Sequence, residues 1–258
     1  MTGRAALRSA SAIVAAVLVS GCTPFYEVPI ETPIQPKLDI TAFQRVLVAG
    51  FIAGGTDELD ANLETVRLLR SQLRTKSSIR VIEADVLPLV EVAQGGPRDA
   101  DREPAAGGAL PLPERIRDEK DLASYERVFA NVDYWKRIGE EFQNPLIVTG
   151  TVLFTPHQRS GFVTREQEVY DSFGRRRVVP VRTYLERKGF ILRPKFVFID
   201  GRTGTTLYSE SFREEILYNA SQNTPALSSY FELMDRLVPS FLSTLSTQKI
   251  RGSRILLK

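Results

Sequence analysis

The chain has 258 residues, of which 43% are apolar and 25% charged, with a formal net charge of +3. That is the composition of a globular protein with room for one large or two small domains, and it excludes a low-complexity or disordered chain. Two of the cations, Arg4 and Arg8, stand at the very start of the chain, ahead of an apolar run. The rest of the chain is nearly neutral, so no nucleic-acid partner is expected despite a sequence pI near 9.0.

The first 22 residues have three parts. Arg4 and Arg8 precede an apolar run over residues 10–19 (ASAIVAAVLV), broken only by Ser11. A membrane span needs about 20 apolar residues, so this run is too short to be one and suits the hydrophobic region of a signal peptide. It ends in Val19-Ser20-Gly21-Cys22, which resembles the lipobox of bacterial lipoproteins: small residues before a cysteine that is acylated and then becomes the mature terminus. The alternative is a buried amino-terminal helix with a stray thiol. Cysteine usage favours the lipid, because Cys22 is the only cysteine in the chain and has no partner for an internal disulfide. Residues 1–21 are therefore expected to be a signal peptide, with Cys22 as the lipidation site. Thr23 in place of Asp resembles the sorting signal for the outer membrane, which implies a lipid-anchored, periplasm-facing protein.

Residues 22–42 carry Pro24, Pro29, Pro33 and Pro36, a density that resists helix and sheet and predicts an extended tether. A single domain is expected over residues 43–258. It opens with RVLVAGF (residues 45–51), a continuous apolar run typical of a strand buried on both faces. Gly54-Gly55-Thr56-Asp57 breaks the chain and offers an N-cap, and Leu59, Leu63, Val66, Leu69 and Leu73 then form one helical stripe. A second strand at residues 79–83 completes a β-α-β unit with parallel strands and a right-handed crossover.

Residues 94–113, rich in Gly, Pro, Ala and charge, predict a mobile insertion. Leu122, Tyr125, Val128, Phe129, Val132 and Trp135 predict helix across residues 114–142, and PLIVTGTVLF (145–154) predicts another buried strand. Residues 162–170 and 178–186 read as strands flanking the turn Asp171-Ser172-Phe173-Gly174-Arg175, a projecting basic hairpin over residues 162–186. Residues 190–199 and 205–212 form a second hairpin around Asp200-Gly201-Arg202-Thr203-Gly204. Thr224 caps and Pro225 opens a final helix with a wide apolar face from Leu227 to Leu245, in which Pro239 predicts a kink. Residues 250–257 predict a closing strand. The fold class is α/β: a mixed sheet with a parallel β-α-β start, antiparallel C-terminal hairpins and helices packed on the sheet.

Little in the chain points to catalysis. His157 is the only histidine, too few for a multi-histidine metal site, and no G-x-S-x-G nucleophile elbow is present. The run GFIAGG (50–55) lacks both the P-loop lysine and the G-x-G-x-x-G spacing, so it reads as a plain loop. No metal, no cofactor and no enzymatic activity are expected. The distinctive feature is charge. Residues 173–195 hold Arg175, Arg176, Arg177, Arg182, Arg187, Lys188, Arg193 and Lys195 against Glu186 alone. One reading is a solvated hairpin. The other is a contact for an anionic surface or an acidic protein partner, carried by Arg175, Arg176, Arg177, Arg182, Arg187 and Lys188.

Taken together, the lipobox, the proline-rich segment, RVLVAGF followed by a helix, LIVTGTVLF, the hairpin FVFIDGRTGTTLYSESF and the final amphipathic helix resemble the curli-secretion-channel and penicillin-binding-protein-activator group of bacterial lipoproteins, across roughly residues 43–247. The resemblance implies a non-enzymatic envelope protein that binds a protein partner, as an accessory to envelope assembly or a secretion apparatus, with homo-oligomerisation open. The alternative that it implies is an oligomeric pore-forming secretion subunit. Channel members of the group carry two membrane hairpins per subunit, whereas this chain offers only residues 162–186, and it adds the insertion at 94–113. A lipid-facing strand should be apolar at every second position. Over residues 162–170 one face presents Phe162, Thr164, Glu166, Glu168 and Tyr170, and the other Val163, Arg165, Gln167 and Val169.

Overall fold

The computed structural model describes residues 25–94, 113 and 115–257. The signal peptide, the lipobox and Cys22 lie outside the described residues, as does the insertion at 94–113 apart from Gln94 and Pro113. The chain divides into two compact units, one drawn from both ends (residues up to Pro36 and from Ser246 onward) and one spanning Lys37–Leu245.

The terminal unit is a two-stranded antiparallel hairpin of β1 (Phe25–Ile34) and, at the far end of the chain, β8 (Gln248–Leu257). This revises the tether expected over residues 22–42 and the closing strand of a single domain. Prolines did not prevent pairing. Pro29 and Pro33 are four residues apart and share a parity, so both can turn the side lacking an N–H to the open edge of a ladder that has β8 on one side only.

The larger unit is α/β with a mixed sheet. Its elements in chain order are β2 (Arg45–Gly55), α1 (Ala61–Lys76), β3 (Arg80–Val81), α2 (Leu89–Ala93), α3 (Glu119–Tyr125), a 3-10 turn (Glu126–Ala130), α4 (Val132–Glu141), β4 (Leu146–Tyr170), β5 (Arg176–Asp200), β6 (Thr206–Ser211), β7 (Glu214–Asn219) and α5 (Ala226–Leu245). The sheet runs β3-β2-β4-β5-β6, with β7 pairing further along β5. β2 is parallel to both β3 and β4, and the remaining pairs are antiparallel.

Helices cover both faces. Val46, Val48 and Phe51 of β2, Leu146, Val148, Val152 and Phe154 of β4, and Leu192, Phe196 and Phe198 of β5 pack on α1 and α5. The alternate residues Leu47, Ala49, Ile52, Ile147, Leu153, Val197 and Ile199 pack on the other side with Leu122, Tyr125, Phe129, Trp135 and Ile138. Burial on both faces is why these strands are continuously apolar. α1 is capped by Asp60, whose carboxylate accepts the Leu63 N–H at 3.0 Å, three residues later than Asp57. The helix expected across 114–142 is divided. Asp118 and Asp121 form a capping box at the start of α3, and Asn131 restarts the chain as the cap of α4, each drawing its backbone out of helical geometry. GFIAGG is strand, not loop: β2 pairs with β4 as far as Gly55 and Phe154. At Gly150 of β4 the backbone has φ +146° and a Cβ would lie 1.8 Å from the Lys195 carbonyl, so only glycine fits. α5 runs through Pro239 without interruption.

Candidate interaction surface

The segments 145–154 and 162–170 are one strand, as are 178–186 and 190–199: β4 and β5 are each 25 residues long. They pair from Leu146 and Asp200 out to Tyr170 and Arg176 without a register shift. The expected hairpin is thus the outer half of a longer ribbon. β6 covers β5 from Lys195 to Ile199 and β7 covers it from Arg187 to Leu192. From Ser160 and Glu186 outward the ribbon has only two strands, and nearly every residue is exposed. β7 itself had no signal beyond a short stretch, EEILYN, whose pairing depends on β5 being long enough to receive it.

The tip is built by Asp171. Its carboxylate accepts the N–H groups of Phe173 (3.0 Å) and Arg175 (2.9 Å), its own N–H donates to the Arg175 carbonyl, and Gly174 turns with φ +72°. These bonds fix the register of the two outer strands.

Four of the six candidate basic residues, Arg175, Arg176, Arg177 and Arg182, have described partners, and the six are not gathered into one patch. Arg175 Nε lies 3.1 Å and Arg177 Nε 3.7 Å from Asp171, and Arg176 pairs with Glu168 across the ladder. Arg182 stands over the Phe162 ring at 4.8 Å. Arg193 and Lys195 lie in the inner half of the ladder, away from the projecting part, facing Glu119 at 3.9 Å and Glu126 at 2.7 Å beside a cleft of about 500 Å³. Alternation then divides the six candidate residues. Arg176, Arg182 and Lys188 share the even parity of β5, while Arg177 and Arg187 share the odd, with Arg175 in the turn. Between residues 158 and 190 eight Lys and Arg face four carboxylates, so the ribbon is basic without being a uniform cationic arm. A count along one strand misses Glu166, Glu168 and Asp171, which the partner strand brings alongside.

Aromatic side chains join the basic ones as candidate contact residues. Phe162 and Tyr184 are cross-strand neighbours with ring centroids 5.3 Å apart, edge to face. Tyr170 and Phe173 follow at the tip, where Phe173 is 80% exposed beneath the Arg175 guanidinium. The available signal was the even parity shared by Phe162, Tyr170, Tyr184 and the two arginines Arg176 and Arg182. These are the side chains enriched where one protein buries a patch on another.

His157 is half-buried near the base of the ribbon, with Nε2 3.5 Å from a Glu215 carboxylate oxygen. No family model and no curated protein matches this chain. Among solved structures it is similar to the lipoprotein GNA1162 from Neisseria meningitidis, with 13% identity over 79% of this chain and 99% of that one and a TM-score of 0.34. It is also similar to the PelC dodecamer from Paraburkholderia phytofirmans, with 12% identity over 83% and 97% and a TM-score of 0.34. Neither alignment assigns a role to any residue of this chain.

Proposed function

We propose that this chain is a non-enzymatic lipoprotein of the cell envelope, held at the outer membrane by lipid on Cys22. On this reading it binds a protein partner through the outer β4-β5 ribbon, as an accessory to envelope assembly or a secretion apparatus. One observation carries the reading. Among the described residues, the ribbon beyond Ser160 and Glu186 keeps unbroken pairing with no layer on either face, and it exposes Phe162, Tyr170, Phe173 and Tyr184 among arginines. Two-stranded hairpins are marginal in water, so a long one rich in aromatics is better explained as half of an interface. Its cations add steering and register toward an acidic partner.

The charge pattern disfavours a pore. Arg165, Gln167 and Arg177 interrupt one face, and Glu166, Glu168, Arg176 and Arg182 the other, whereas a strand against lipid needs an apolar residue at each second position.

A photo-crosslinker at Phe173 or Tyr184, in the lipidated protein in its own envelope, tests the proposal. The expected result is a discrete crosslinked partner, lost at low salt when Arg175, Arg176 and Arg177 are all replaced by Gln with an unchanged thermal midpoint. Undiminished capture in the triple variant rejects the ribbon as the contact, and its unfolding marks the arginines as structural. Crosslinks to a second copy alone would replace the partner by a homo-oligomer. For the anchor, Cys22→Ser is expected to abolish fatty-acid labelling; persistent labelling rejects acylation at this residue.

A further inference from the structure

The β1-β8 hairpin sorts its side chains by parity. The even positions of β1 are Tyr26, Val28, Ile30, Thr32 and Ile34, and the register adds Ile250 opposite Thr32. All six are exposed. Among these described side chains, charge enters that face only with Arg254, opposite Val28, and Gln248 closes its end. The odd positions differ. Glu31 holds Arg251 Nε at 3.0 Å and Lys249 Nζ at 3.5 Å, and Glu27 lies four residues away on the same face. One side of the ribbon is thus a nearly uncharged apolar stripe, while the other sets the charges Glu27, Glu31, Lys249 and Arg251 among Pro29, Pro33 and the exposed Ile255.

The position of the ribbon in the chain indicates what covers the stripe. β1 begins at Phe25, three residues after Cys22. Three residues of extended chain reach about 10 Å at most, so an acylated Cys22 keeps the start of β1 within that distance of the bilayer surface. An open two-stranded ribbon cannot cross hydrocarbon, because its outer edges leave N–H and C=O groups unpaired. It can lie in the interface, where water meets the edges and the apolar face sinks among the acyl chains. Tyr26 is the type of side chain that prefers this depth. Arg254 has an apolar stem long enough to stay on the stripe while its guanidinium meets lipid phosphates.

We infer that the β1-β8 ribbon is a second membrane contact, lying on the lipid surface through Tyr26, Val28, Ile30, Ile34 and Ile250. It adds a peptide contact with the membrane to the lipid anchor. The inference rests on the acylation of Cys22 proposed above.

With Cys22 acylated, an introduced cysteine is the only free thiol in the protein, so single sites can be labelled. A fluorophore is placed on Ile30→Cys or on Glu31→Cys in the full lipidated chain, in vesicles of phosphatidylethanolamine and phosphatidylglycerol. Lipids brominated in the acyl chain should quench the label at residue 30 several-fold more than at residue 31, and aqueous iodide should show the reverse order. A repeat at Ile34→Cys guards against local damage at residue 30. Equal iodide quenching on both faces overturns the inference by placing the stripe in water. Protection from iodide without bromine quenching overturns it by showing that protein covers the stripe. Labelling of the unsubstituted chain at its own thiol is a separate result that removes the acylation reading and this inference with it.

Discussion

β4 and β5 form one unbroken antiparallel ladder, yet its two halves live in different surroundings. In the inner half Phe154, Leu192, Phe196 and Phe198 are enclosed between α1 and α5 on one face, and Leu153, Val197 and Ile199 against α3, the 3-10 turn and α4 on the other. In the outer half, with the same pairing, Phe162 is 63% exposed and no described helix covers either face. Backbone hydrogen bonds are common to both halves, so they cannot account for the difference. What separates the halves is the side-chain burial that holds a ladder in a folded domain. The lesson is that strand length does not measure stability: the inner ladder anchors the fold, and the outer ladder is carried by it, leaving its side chains available for another surface.

Substitutions can break or sharpen that contrast. The largest expected effect is Phe196→Ala. This ring packs against Phe51, Phe212 and Phe241 at centroid distances of 6.0, 5.8 and 4.9 Å, and its loss should cost about 3–5 kcal/mol in urea unfolding. A midpoint equal to wild type would deny that the inner half is core. Next come two glycines on the same strand. Gly150→Ala forces a strained φ and drives a Cβ onto the Lys195 carbonyl, for a loss of at least about 1–3 kcal/mol. Gly161→Ala meets nothing within 4 Å and should leave stability within about 0.5 kcal/mol of wild type. Comparable losses at both positions would erase the distinction between the halves.

Asp171→Ala removes the acceptor for two tip N–H groups. It should cost about 1 kcal/mol or less, because those groups can turn to water. Its clearer signature should be faster amide exchange confined to residues 160–186, and protection unchanged there would mean that the turn does not set the register. A similarly small effect on stability is expected from Phe162→Ala: a loss under about 1 kcal/mol, together with weaker capture of the partner. A loss like that of Phe196→Ala would show that the outer half is covered by its own chain.

Much of the architecture was legible in the sequence because its causes are local. Continuous apolar runs such as RVLVAGF and LIVTGTVLF report strands with both faces buried, the 3–4 spacing through Val66, Leu69 and Leu73 reports one helical stripe, and Asp200 to Gly204 carries its own turn chemistry. The signal-peptide pattern and the single cysteine likewise sit in a contiguous stretch, which is why an expectation for Cys22 could be formed without any fold. The decisions that failed locally are the pairings. Whether a proline-rich segment stays single or becomes β1 depends on a strand more than 200 residues away, and nothing in residues 22–42 encodes that partner. Charge was misread for the same reason. The arginines of residues 175–182 look like an unopposed cluster along the chain, but Glu168 and Asp171 lie beside them and strand parity divides them between two faces. Sequence determines which residues want burial and where the chain turns. Tertiary structure alone decides which neighbours a charge or an edge meets, because that depends on ladder register between strands far apart in the chain.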